Sequence, residues 1–218
     1  MGLLSKIQSI QSIQPPISHN EVPTNKLKLY QGEYVITSPF GPRDLGNGDK
    51  RPHKGIDCVG KSNKNIVAPT NGKIVSSQII VNKTNPTWEW GNYIKMDDLN
   101  GYWLFFCHLN KRLVNAGQTV SKGQVLGIEG YTGYVYPKGE KGSHLHFEVR
   151  RIKDGAVINP EQYFKILEEW EEKYRNLTVT KATNLVQTKA KLDDATINYM
   201  LKYQYGGDLM IKLSNAMK

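Results

Sequence analysis

The chain has 218 residues, a net charge of +9 and 39% apolar content, enough for one full domain with a small addition and a real core. No run approaches the roughly 18 apolar residues of a membrane span, and two cysteines make no disulfide framework. From residue 161 onward nine Lys and Arg face eight Asp and Glu, so residues 1–160 carry +8 of the total. That surplus suits a polyanionic partner, an anionic cell wall or a nucleic acid. No recognised nucleic-acid motif accompanies the charge, so no nucleic-acid partner is expected.

Residues 1–32 read as an arm or linker rich in Gln, Ser, Asn and Pro. Its start, MGLLSKIQSIQSIQPPIS, interrupts its apolar residues with Ser, Gln and Lys and shows no small-residue cleavage site. Synthesis in the cytoplasm without a secretory signal is therefore expected. His19, inside this arm, reads as incidental. Residues 33–160 carry the strand-like runs EYVIT, NIVAP, GKIVSSQIIV, NYIKM, YWLFFCHL, QVLGIEG and HLHFEVRRI, separated by Gly, Pro, Asn and Asp. Short strands with turn signals between them predict a mainly β fold built on an antiparallel sheet.

The character changes at Asn159-Pro160-Glu161, a helix start made of a cap, a first-turn proline and an acid. Helical spacing of Tyr163, Phe164, Leu167 and Trp170 follows. A second helix is expected over about 181–203, then a break at Gly206-Gly207 and a last helix capped by Asp208. Residues 161–218 thus form a small helical appendage, suited to self-association or docking onto a larger particle.

Four of the five histidines lie in the β region. GSHLHFEVR puts His144 and His146 one residue apart, so an extended strand turns both imidazoles, then Glu148, to one face, with Leu145 and Phe147 opposite. RPHKGIDCVG sets His53 four residues before Asp57, and a turn permitted by Gly55 would let the two converge. LFFCHLN places His108 near the end of an apolar strand. Two or three imidazoles plus a carboxylate is the donor set of a catalytic zinc, with histidines left for proton transfer and oxyanion stabilisation. Alternation would turn Cys58 and Cys107 away from the face of Asp57 and His108, as buried small hydrophobes rather than thiolate ligands. Glu148 fits either an orienting contact to a ligand or a salt bridge elsewhere.

These motifs occur in an order that resembles the lysostaphin/LytM-type zinc endopeptidases. SPFGPR (38–43) looks like the opening turn of that family, HKGID (53–57) its first ligand motif, and VAPTNGKIV (67–75) and GNYIKM (91–96) its core strands. CHL (107–109) resembles its isolated-histidine motif, and VSKGQVLGIEGYTG (120–133) and GSHLHFE (142–148) complete the pattern. The resemblance implies a LytM-like fold, the duplicated hybrid motif, over 33–160. It implies one Zn2+ per chain on His53, Asp57 and His146, with His108 and His144 assisting catalysis. It implies hydrolysis of stem or crossbridge peptide bonds in bacterial peptidoglycan.

Two stretches depart from the family pattern. YTGYVYPKGEKGSH is longer than the usual turn before the histidine pair, and NKTNPTWEWGN is a second candidate wall of a substrate groove. Tyr134, Tyr136, Trp88 and Trp90 are the expected substrate contacts there. The cellular role expected is a phage or prophage endolysin acting at the wall after release, or a virion component. The alternative is a structural or regulatory protein that keeps the fold without the catalysis.

Overall fold

A computed structural model describes residues 28–43, 50–85, 87–202 and 206–217. Most of the N-terminal arm, His19 included, lies outside the described residues.

Eleven strands form two antiparallel sheets among the described residues. In chain order they are β1 (Tyr34–Ser38), β2 (Gly55–Gly60), β3 (Asn65–Val67), β4 (Gly72–Ile79), β5 (Asn92–Asp97) and β6 (Tyr102–Cys107), then β7 (Lys111–Arg112), β8 (Thr119–Val120), β9 (Val125–Ile128), β10 (Leu145–Arg151) and β11 (Val157–Ile158). The large sheet runs β1-β2-β10-β6-β5-β4-β8, with β11 paired to β10, and the small one runs β3-β9-β7.

The period-2 pattern of β10 sets up the site. Leu145, Phe147 and Val149 enter the main core, where Phe106, Ile56, Leu104, Met96 and Leu126 meet them. Each such side chain taken from water contributes about 1.5–3 kcal/mol. The intervening His146, Glu148 and Arg150 stand on the other face of the sheet, because successive side chains alternate. On that face His146 pairs with Asp57 of β2 and with Cys107 of β6.

Leu29 and Tyr30, within the stretch read as arm, are fully buried. Tyr30 donates its hydroxyl proton toward the Cys58 carbonyl at 2.9 Å and the Glu129 carboxylate at 2.7 Å. Cys58 belongs to the core. Cys107 does not follow the expected direction: it is buried on the same sheet face as His146, beside Tyr93 and Phe105.

Three helices follow: α1 (Pro160–Ala190), α2 (Asp194–Leu201) and α3 (Gly206–Ala216). Asn159 caps α1 by accepting the Glu161 N–H at 3.0 Å. Tyr163, Phe164, Leu167 and Trp170 pack on the β core, and Tyr163 donates to buried Asp98 at 2.9 Å. Farther along, Ala182 and Val186 form a second cluster with Ile197, Met210 and Leu213.

The expected break between two helices near residue 180 is absent, and α1 runs 31 residues. Within that span Thr180 donates its hydroxyl to the Asn176 carbonyl at 2.9 Å and Thr188 to that of Asn184 at 2.8 Å, and packing of Ala182 and Val186 on the second cluster holds the helix through it. The chain turns instead at Lys191, whose φ is 52°, and Asp193 caps α2 through the Thr196 N–H. Gly206 opens α3 rather than ending its predecessor.

Candidate metal centre and groove

Three side chains meet at the β2–β10 junction. His53 Nε2 lies 2.9 Å from His146 Nδ1. Asp57 Oδ1 lies 2.9 Å from His146 Nδ1 and 3.0 Å from His53 Nε2. The arrangement depends on how tightly the two strands approach. A Cβ on Gly55 would fall 2.3 Å from the Phe147 carbonyl oxygen and 2.9 Å from His146 Cε1. Gly55 therefore serves strand contact at the start of β2 and not, as its place between His53 and Asp57 suggested, a turn.

The tautomers follow from the partners. His53 Nδ1 lies 2.8 Å from the Pro39 carbonyl, His108 Nδ1 2.9 Å from that of Thr132, and His144 Nδ1 2.7 Å from that of Gly142. A carbonyl only accepts, so each Nδ1 donates, and each neutral ring keeps its lone pair on Nε2. His146 is turned the other way. Its Nδ1 faces Asp57, and its Nε2 lies 3.7 Å from Glu148 Oε2, a charge contact too long for a hydrogen bond. Buried Glu148 pairs with Arg150, the salt bridge that was one of the two readings offered for it from sequence.

His108 and His144 stand beside this group. Their ring centroids are 4.8 Å apart, His108 is 5.9 Å from His146, and His144 Nε2 is 3.6 Å from Asp57 Oδ1. His108 reaches this face although its neighbour Cys107 also occupies it, because its φ of 64° breaks the alternation.

Burial and charge set the protonation. Burial raises the Asp57 pKa, but hydrogen bonds from His146 and His53 outweigh it and hold the carboxyl well below the usual range. Burial lowers His146, yet Asp57 and Glu148 carry it up to about 9. Burial, with His144 and His146 adding to it, pushes His108 well down. Burial also lowers His144. At neutral pH the two flanking rings are thus neutral, with free lone pairs.

Arg43, in the SPFGPR turn, was missed as a site residue. Its Nη1 lies 3.4 Å from Asp57 Oδ2, the carboxylate oxygen turned away from the two histidines. Glu129 was missed as well. It accepts from Tyr30, the Gly60 N–H, Lys64 and Ser143, and it precedes Gly130, whose carbonyl holds the His144 N–H at 3.0 Å. Only distant segments supply those partners, so no local sequence signal marked it.

The expected substrate contacts separate into two kinds. Trp88 meets Tyr134 edge to face, with ring centroids 5.9 Å apart, and Tyr134 and Tyr136 are exposed. Trp90 lies instead on the sheet, against Tyr93 at 5.2 Å and Phe105 at 4.9 Å. The two loops clasp His108. Its N–H donates to the Trp90 carbonyl at 2.9 Å, and the Tyr134 N–H donates to that of Glu89 at 2.9 Å.

The ligating atoms of His53, Asp57 and His146 all lie within 4.8 Å of one another, a group able to hold a metal ion. The pattern of peptidase family M23 matches residues 51–160, a span that contains every one of these histidines. The chain belongs to peptidase family M23.

Among other members, it is 35% identical over 129 residues to the peptidoglycan DD-endopeptidase ShyA of Vibrio cholerae, a match covering 58% of this chain and 27% of that protein. It is 30% identical over 131 residues to the murein hydrolase activator NlpD of Escherichia coli, covering 60% of this chain and 29% of the relative. The chain thus spans less than a third of the length of either relative. The antimicrobial peptidase lysostaphin from Staphylococcus simulans superposes with a TM-score of 0.50 at 27% identity, over 62% of this chain and 51% of that one. The sheet-rich M23 fold expected from the sequence motifs is the fold observed.

Proposed function

We propose that the protein is a zinc-dependent endopeptidase that hydrolyses peptide bonds of bacterial peptidoglycan, with residues 33–160 as its catalytic unit. The observation that carries this reading is the convergence of His53, Asp57 and His146 beside two further imidazoles with free Nε2 lone pairs.

The donor set fits zinc. Two imidazoles and one carboxylate leave a fourth position open, as in catalytic rather than structural sites. Bonds of 2.0–2.1 Å at tetrahedral angles place ligand atoms about 3.3 Å apart, close to the 2.9–3.0 Å separations here. Each ligand is also held from behind: His53 by Pro39, Asp57 by Arg43, His146 by Glu148. A zinc ion in this position supplies Lewis-acid polarisation of a carbonyl and lowers the pKa of water.

The chain's own residues do the rest. His144 or His108 takes the proton of the attacking water on Nε2 and returns it to the leaving amine nitrogen. That ring, while it carries the water's proton, donates toward the negative charge developing on the carbonyl oxygen. The Trp88–Tyr134 and Tyr136 walls hold the peptide across the sheet, and the basic surface attracts anionic wall polymers.

The likeness to NlpD favours one second reading, a regulatory protein that keeps the fold. Digestion of purified peptidoglycan with and without a chelator separates the two. New amino termini that vanish on chelation and return with zinc support the peptidase. Intact peptidoglycan in the presence of the zinc-loaded chain supports the regulator.

A further inference from the structure

The loop at 131–142 holds both imidazoles that flank the metal-binding group. At one end the Thr132 carbonyl accepts from His108 Nδ1 at 2.9 Å, and at the other the Gly142 carbonyl accepts from His144 Nδ1 at 2.7 Å. The Thr132 end is anchored by its own hydroxyl, which donates to the Leu109 carbonyl at 2.9 Å and accepts the Asn92 N–H at 2.9 Å. At the Gly142 end the N–H groups of Gly142 and Ser143 turn back into the loop, to the carbonyls of Gly139 and Glu140. That end is tied to the domain by the bridge between His144 and Gly130 and, beside it, by the Ser143 hydroxyl, which donates to Glu129 Oε1 at 3.0 Å.

Glu129 is well placed to anchor that end. Its side chain is fully buried, and a carboxylate offers about four acceptor sites. Four donors fill them. Besides Ser143, Oε1 takes the Lys64 ammonium at 2.7 Å, and Oε2 takes the Tyr30 hydroxyl at 2.7 Å and the Gly60 N–H at 2.9 Å. Tyr30 comes from the stretch ahead of β1, Gly60 from the end of β2, Lys64 from the turn into β3, and Ser143 from the foot of the loop. Lys64 supplies the opposite charge that a buried carboxylate needs. Three segments of the domain thus fix the carboxylate, and the fourth contact passes that position to the loop. Closing a longer loop costs more chain entropy, so a tie at its base has more to hold.

We propose that Glu129 is a positioning residue for the two flanking histidines. Through Ser143 it holds the Gly142 end of the loop against the Thr132 end, and so sets the 4.8 Å separation of the His144 and His108 rings. It acts through Ser143 and the Gly142 carbonyl, not by touching the reacting atoms. Its effect on turnover rests on the peptidase reading above; its effect on the two rings does not.

The test compares the zinc-loaded full chain with its Ser143→Ala variant. That change removes one donor and leaves Tyr30, Gly60 and Lys64 on the carboxylate, so the fold should survive it. The imidazole signals are read by NMR of histidine-labelled protein, and kcat, KM and zinc content are measured with soluble crosslinked muropeptides. The His144 and His108 ring signals should shift while those of His53 and His146 stay. Turnover should fall about 10–100-fold, the cost of a misplacement of up to about 1 Å, with KM and zinc content unchanged. Ser143→Thr restores the hydroxyl and should restore both readouts. Glu129→Gln, whose amide accepts at only one end, should reproduce the loss. Unmoved ring signals in Ser143→Ala, or an unmoved kcat in a chain that cleaves, overturn the proposal. So does a fall in turnover that comes with lost zinc, or one that Ser143→Thr fails to restore. Shifted ring signals in Ser143→Ala, when even the wild type cleaves nothing, overturn the peptidase reading and leave the positioning role standing.

Discussion

The histidine cluster and the aromatic walls differ in how their side chains are held. In the cluster, His53, His108 and His144 each spend one ring nitrogen on a backbone carbonyl, and His146 and Asp57 face one another across paired strands. In the walls, Trp88 and Tyr134 hold mainly each other, and Tyr136 is 60% exposed. Asp57 and His146 lie within strands and His53, His108 and His144 within two residues of a strand end, whereas Tyr134 and Tyr136 lie on a loop farther from any strand. Damage to the first region should remove a step, and damage to the second should weaken a fit.

The largest effect belongs to His146→Ala. It should abolish zinc binding, measured by metal content after dialysis, and lower hydrolysis by at least about a thousandfold. His108→Ala should sharpen the contrast inside the cluster. Zinc content stays at the wild-type level while turnover falls about 10²–10⁴-fold, the usual range for a proton-transfer group. If His108→Ala lost its metal instead, the division between ligands and flanking rings would be wrong.

Gly55→Ala probes the strand contact beneath the ligands. A Cβ 2.3 Å from the Phe147 carbonyl oxygen must force β2 from β10, for a loss of about 1–3 kcal/mol in denaturant unfolding. Metal affinity should fall with it, since His146 Cε1 stands in the same path.

Glu129 gives the pH test. Burial raises its pKa, but contacts from Lys64, Gly60, Tyr30 and Ser143 lower it below the model-peptide value of 4.5. A carboxyl depressed in the folded state contributes stability above its unfolded pKa and loses it as pH falls through the folded one. Acid unfolding of the wild type should therefore steepen below about pH 4.5, and Glu129→Gln should flatten that limb. An unchanged limb in the variant would remove Glu129 from the account. The smallest effect belongs to Tyr136→Ala, which should raise KM only severalfold at constant kcat, with zinc content untouched.

Much of this layout was legible because strand periodicity is strict. The His-x-His spacing alone turns His144 and His146 to one side and Leu145 and Phe147 to the other. What periodicity missed has identifiable causes. Cys107 shares the His146 face because His108 takes a positive φ, and one histidine does not announce that conformation. Trp90 reads as a wall residue in its loop, but it folds onto Phe105 and Arg150, partners from two other strands. The Glu129 network joins residues up to 99 positions apart. The helix end at Lys191 went unread because it depends on packing of Ala182 and Val186 against Ile197, Met210 and Leu213, partners from later helices that local sequence does not show.

The most direct measurement of the central claim is a zinc titration of the metal-stripped chain, with release of amino termini from purified peptidoglycan as the readout. The account predicts no release without metal and a linear rise that stops at one zinc per chain. Release indifferent to zinc, or none from any zinc-loaded sample, would contradict it.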